Sequence, residues 1–194
     1  MSVEPIDAAA AQDHLEMVNR ILAESHQRLC NGGEYFVVWG IGSASITVLA
    51  QLVHGGLLPR AATWSLPIVI AACAAFSIVR SMQTRLVLQR SSLLQREFFN
   101  VLWLTLGLAF VVDIAGFNIF TGFASAAIWS VAEAIVLLYI GLHGNRRAQI
   151  AGVLVIVSLV VANFVSPGIA GYVLGAGMLF GYGGFGASEL LARE

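Results

Sequence analysis

Apolar residues run through most of this chain in blocks of about twenty, separated by short polar or glycine-rich breaks. The clearest block is Gly122 to Leu142, GFASAAIWSVAEAIVLLYIGL, apolar throughout except for small polar residues and one carboxylate, Glu133, near its middle. A helix needs about 20 such residues to cross a bilayer. Six segments meet that length approximately: Tyr35–Val53, Ala61–Val79, Phe98–Asn118, Phe123–Leu142, Gln149–Val165 and Ile169–Ser188. The breaks carry turn chemistry: His54-Gly55-Gly56 to Pro59, Gly116 to Gly122, Gly144-Asn145, and Ser166-Pro167-Gly168. Glycine and proline in such clusters end helices. Alternate loops are short, so the six segments read as three hairpins.

Residues 1 to 33 follow a different pattern. After Pro5, which suits a helix start, Ala8, Ala11, Leu15, Val18, Leu22, Ser25 and Leu29 recur at spacings of three and four. That periodicity predicts an amphipathic helix or a short coiled-coil seam. Asn31-Gly32-Gly33 ends it and forms a hinge. The fold expected is therefore an all-α, polytopic membrane helix bundle: six transmembrane helices in three hairpins over residues 34–194, preceded by a short amphipathic cytoplasmic arm over 1–33.

Composition agrees with that class. The chain is 58% hydrophobic and 11% charged, with mean hydropathy +0.84; soluble domains carry roughly 25% charged residues. A net charge of −1 offers no field for nucleic acid, so none is expected as a partner. The acidic arm has no apolar core of the kind a signal peptide needs. Cys30 and Cys73 form no CxxC motif.

The arginines predict orientation. With the N-terminus inside, the inner segments hold Arg20, Arg28, Arg80, Arg85, Arg90, Arg96, Arg146, Arg147 and Arg193, and the outer ones only Arg60. This positive-inside bias puts both termini in the cytoplasm. The same count separates two cytoplasmic surfaces. Residues 1–34 hold six acids against two arginines, whereas Arg80, Arg85, Arg90 and Arg96 lie in a stretch with no acid. The acidic arm is expected to dock on that basic loop; the alternative is that the four arginines bind anionic lipid.

The candidate chemistry lies among a few polar groups within the apolar segments. An ionisable side chain at the bilayer centre costs about 2.5–3.5 kcal/mol even on the lenient insertion scale. Glu133 is accordingly either a proton- or cation-coupling carboxylate or a neutral acid bonded to a neighbouring helix. Asp113 lies toward the outer end of the third segment and can reach headgroup water. Ser43, Thr47 and Gln51 recur at helical spacing on the first segment, with Gly40, Ala44 and His54. They either line a narrow polar path or pack closely against another helix. In the last segment Gly177, Gly181 and Gly184 share one face and Gly171 and Gly175 another, which predicts a helix packed tightly on two sides, within the bundle or against a second copy. His14, His26, His54 and His143 do not fall at matching depths, and no His, Cys, Asp or Glu set has ligand spacing; no cofactor, metal or catalytic motif is expected.

The arm before Asn31-Gly32-Gly33, the Glu97-Phe98-Phe99 opening and the glycine-rich last segment resemble a loose set of uncharacterised bacterial six-helix inner-membrane proteins with a short N-terminal cytoplasmic helix. The resemblance covers the chain in outline and implies the same layout. Two functions follow as expectations. One is a non-enzymatic partner-binding or regulatory membrane component, engaging a membrane or cytoplasmic protein through the arm, or acting as a homo-oligomer. The other is a small-solute or ion transporter or channel with Glu133 as its titrating group.

Overall fold

The computed structural model describes residues 12, 16–17, 32–87, 93–116 and 122–192, apart from the side chains of 84–96 and 99. The arm therefore lies outside the described residues except for Gln12, Glu16 and Met17, which are helical. Cys30, Arg90, Asn118 and Arg193 lie outside them too, as do the side chains of Arg85 and Arg96.

The described residues are helical almost throughout, with no strand. They form α1 (Gly33–His54), a 3-10 turn (Arg60–Trp64), α2 (Ser65–Val87), α3 (Leu93–Ala115), α4 (Gly122–Leu142) and α5 (Arg146–Phe164). A last span follows, made of α6 (Pro167–Met178), a π turn (Leu179–Gly183) and α7 (Gly184–Leu191). Five of these helical stretches are long and apolar enough to cross a membrane: Gly33–His54, Arg60–Gln83, Gly122–Leu142, Arg146–Phe164 and Pro167–Leu191. Asn100–Ala115 is apolar but shorter.

Local chemistry explains the ends. α1 closes where Gly56 takes φ 73°, a left-handed conformation that costs glycine little. There Leu57 N–H donates to Leu52 O at 3.0 Å and Gly56 N–H to Val53 O at 3.1 Å, the crossed pair that satisfies the final carbonyls of a helix. α5 starts at a capping side chain: Asn145 Oδ1 accepts from the N–H groups of Arg147 at 3.1 Å and Ala148 at 3.2 Å. Pro167 opens the last span, where its missing N–H costs nothing.

Two expectations need correction here. The stretch from Arg80 to Arg96 is not a loop over most of its described length. α2 continues to Val87 and α3 begins at Leu93, because residues 80–87 contain no glycine or proline to stop a helix. Gly33 also belongs to α1 and is buried, rather than forming a free hinge.

Four elements make the core. α1 lies antiparallel along the last span, the last span packs on α5, and α5 packs on α4. Phe36, Leu137, Ile140, Val155, Tyr182 and Phe185 close the centre of this group. α2 and α3 flank it, α2 against α1 and α3 against α4. Their outer faces are bare: Ile68 on α2 is 67% exposed and Leu104 on α3 73%. Apolar surface this large and continuous suits lipid contact rather than water.

Candidate functional site

Glu133 sits halfway along α4 and is buried, with 6% of its surface exposed. Ser43, halfway along α1, donates its hydroxyl hydrogen to Glu133 Oε1. The other carboxyl oxygen, Oε2, is buried and has no hydrogen-bond partner among the described residues. Ser130, one turn earlier on α4, is turned away, its hydroxyl donating to Ala126 O at 2.7 Å. Tyr182, in the π turn, is buried, and its backbone lies against Gly40, one turn before Ser43 on α1. The site is thus the meeting point of α1, α4 and the one irregular turn of the last span. π turns recur at functional positions in helices.

The other two members of the α1 stripe do not reach Glu133. Thr47 is buried, donating to Ser43 O at 2.8 Å and lying 3.4 Å from Met178 Sδ. Gln51 clamps the start of the last span: its Nε2 donates to Pro167 O at 2.9 Å and Gly168 O at 3.0 Å, and its Oε1 accepts from Gly171 N–H at 3.2 Å. Asp113 is half-buried, and its Oδ2 accepts from Trp129 Nε1 at 3.1 Å. It ties α3 to α4 one turn before Glu133.

The glycines divide between two partners. A Cβ on Gly171 would meet Gln51, and one on Gly175 would meet Val48 and Ala44, both on the α1 side. Gly177 abuts Ser158 and Gly181 abuts Val155 and Ala151, on the α5 side. Gly184 faces open space. The seam with α1 continues through two contacts that the sequence pattern did not single out, Gly40 on Gly183 and Gly33 on Gly186, where backbone meets backbone.

A second polar cluster joins the start of α1 to the later half of α2. Arg80 Nη2 donates to Glu34 Oε1 at 2.7 Å, and Arg80 Nε lies 2.5 Å from Glu34 Oε2. The fork geometry of guanidinium and carboxylate gives such a pair its direction. A shallow hollow of about 410 Å³ opens beside it, lined by Glu34, Phe76, Val79, Arg80 and Gln83. The signal for this pair was present in the sequence, since Glu34 opens one apolar block and Arg80 closes the next.

Among the described residues no group of three or more His, Cys, Asp or Glu side chains could hold a metal ion. His54 is exposed, and His143 Nδ1 lies 2.8 Å from Tyr139 O. No family model, curated protein or solved structure matches the chain.

Proposed function

We propose that the chain is a non-enzymatic, multi-pass component of a bacterial inner membrane, with six spans in three hairpins and both termini in the cytoplasm. It binds or regulates a protein partner through the acidic arm and the basic stretch that joins α2 to α3. The observation that carries this reading is the Glu34–Arg80 pair. It couples the root of the acidic segment to the first arginine of the basic one. Glu34 and Arg80 side chains are 30% and 42% exposed, so solvent screens the pair and it contributes little to stability. Its value is positional: it sets where the arm leaves the membrane.

The test is protease access in inside-out vesicles. Deleting residues 1–30 is expected to raise tryptic cleavage at Arg85 and Arg90 several-fold, and Arg80→Glu to do the same to a smaller degree. Cleavage unchanged by the deletion sinks the docking of arm on loop.

A second reading is favoured by one observation, the unpartnered oxygen of Glu133. On it the chain is a small-solute or ion pathway with Glu133 as the titrating group. Thr47 and Gln51 are engaged in helix contacts, so Ser43 is the member of the stripe left to serve such a path. Saturable flux in liposomes that disappears in Glu133→Gln would put this reading first.

A further inference from the structure

We infer that Glu133, bonded to Ser43 and set beside the π turn that carries Tyr182, is a reversible proton-binding site in the interior of the bundle. The inference deepens the second reading, from which it takes Glu133, and names the proton as what the group holds.

The geometry selects that ligand. An ionised carboxylate offers about four acceptor positions. Here one oxygen receives a single hydroxyl hydrogen and the other receives none. An isolated buried carboxylate is costly, and neutralisation removes most of that cost. A hard metal cation would need a shell of six or more oxygens. The neighbouring hydroxyls are already turned to backbone carbonyls, Ser130 to Ala126 O and Thr47 to Ser43 O. No acidic cluster stands nearby among the described residues. One proton on Oε2 needs none of these.

Release is simple in chemical terms. The O–H bond of the acid breaks, its electron pair stays on Oε2, and the proton leaves on a water molecule drawn from solvent. Water must first reach a buried atom. The π turn beside the site, Leu179–Gly183, includes Gly181 and Gly183 and is followed by Gly184. Gly183 touches Gly40, one turn before Ser43 on α1. A shift of this turn therefore bears on the Ser43–Glu133 bond itself.

Few other charges surround the site. α1 has Glu34, Tyr35 and His54 at its two ends, and α4 has Tyr139. α5 has Arg146 and Arg147 in its first turn, and α3 has Glu97 and Asp113 among its described side chains. The last span has Tyr172, Tyr182 and Glu189. Of these, Tyr182 lies in the π turn that meets α1 at Gly40.

The experiment is labelling of the full chain in detergent and in liposomes with a hydrophobic carbodiimide: a protonated carboxyl transfers its proton to the carbodiimide nitrogen and adds through oxygen to its central carbon, and the O-acylisourea formed rearranges to a stable N-acylurea. The adduct is mapped by peptide mass spectrometry across pH. The expected result is an adduct on Glu133 whose yield falls about tenfold per pH unit above its midpoint. Ser43→Ala should move that midpoint, and Asp113→Asn should leave it in place. No adduct on Glu133 in the folded wild type, or a yield that does not vary with pH, overturns the inference. Because the adduct is read on the wild-type chain, the result does not depend on how Glu133→Gln folds. pH-dependent labelling without pH-driven flux keeps the proton site and removes the pathway reading. Flux that survives Glu133→Gln, with no adduct on Glu133, overturns the site and leaves the pathway to other groups.

Discussion

Replacing Gly186 by alanine adds one methyl group, yet the seam between α1 and the last span leaves no room for it. The new Cβ would lie 2.5 Å from Gly33 O, 2.6 Å from Val37 N and 2.8 Å from Phe36 Cβ. Two of these atoms are backbone and cannot rotate aside, so the helices must separate. Overpacking of this kind costs about 1–3 kcal/mol. Separation also loosens the ring contacts that Phe36 makes with Tyr182 at 5.0 Å and with Phe185 at 4.9 Å, each worth about 0.5–1.5 kcal/mol. Against this stands the better helix propensity of alanine, up to about 1 kcal/mol. The net expectation is a loss of about 1–3 kcal/mol.

Gly184 supplies the matched control two residues earlier, since a Cβ there meets nothing within 4 Å. Gly184→Ala gains the propensity term without the clash, so it should be neutral or more stable by up to about 1 kcal/mol. Reversible unfolding of both variants in detergent, followed by circular dichroism, separates the two cases. Equal stability of the two variants would refute the close backbone contact of α1 with the last span.

Two further outcomes are expected. Asn145→Ala removes the cap of α5 and the bond from Asn145 Nδ2 to Glu189 Oε1 at 3.1 Å; the same unfolding assay should show a loss of about 0.5–2 kcal/mol. Asp113→Asn keeps an acceptor for Trp129 Nε1 and should leave tryptophan fluorescence unchanged, whereas Asp113→Leu removes it; an identical fluorescence response in both would show that the bond does not hold α3 to α4.

Helix positions were legible in the sequence wherever a local signal marks them. The fourth apolar block and α4 differ by one residue at the start, because Gly122 and Gly144 bracket it. The ends of α2 and α3 near Arg80 to Arg96 were not legible, because hydropathy reports what can sit in lipid and not where a helix stops. Val79 closes the apolar run, while the backbone stays helical to Val87. The faces of the last span were legible only up to its middle. Gly184 falls three residues after Gly181, which in an α-helix keeps the two close on one side. A π turn holds more residues per turn than an α turn and so rotates everything after it. The turn at Leu179–Gly183 carries Gly184 outward and brings Gly183 and Gly186 onto α1. The partner of Glu133 was beyond reach for a different reason. Ser43 and Glu133 are 90 residues apart, and nothing local to either records the other.

The distribution of polar contacts decides which parts of the bundle can shift. Lipid does not press helices together as water does, so close backbone approach and bonds between helices must hold them. α1 has both along its whole length: Gly33 and Gly40 on the last span, Ser43 on Glu133, Thr47 on Met178, and Gln51 on the first turn of α6. α2 is joined to α1 by the Glu34–Arg80 pair and by Trp39 Nε1 donating to Ser77 Oγ at 2.9 Å. α3 is joined to α4 through Asp113 and Trp129. α2 and α3 are the two elements that the basic stretch connects. A partner that drew on that stretch would act on α2 through Arg80, then on Glu34 at the root of α1, and so on the helix that holds Ser43 against Glu133. The Glu34–Arg80 pair and the buried carboxyl are in this way linked by one helix, α1, rather than by a chain of side chains.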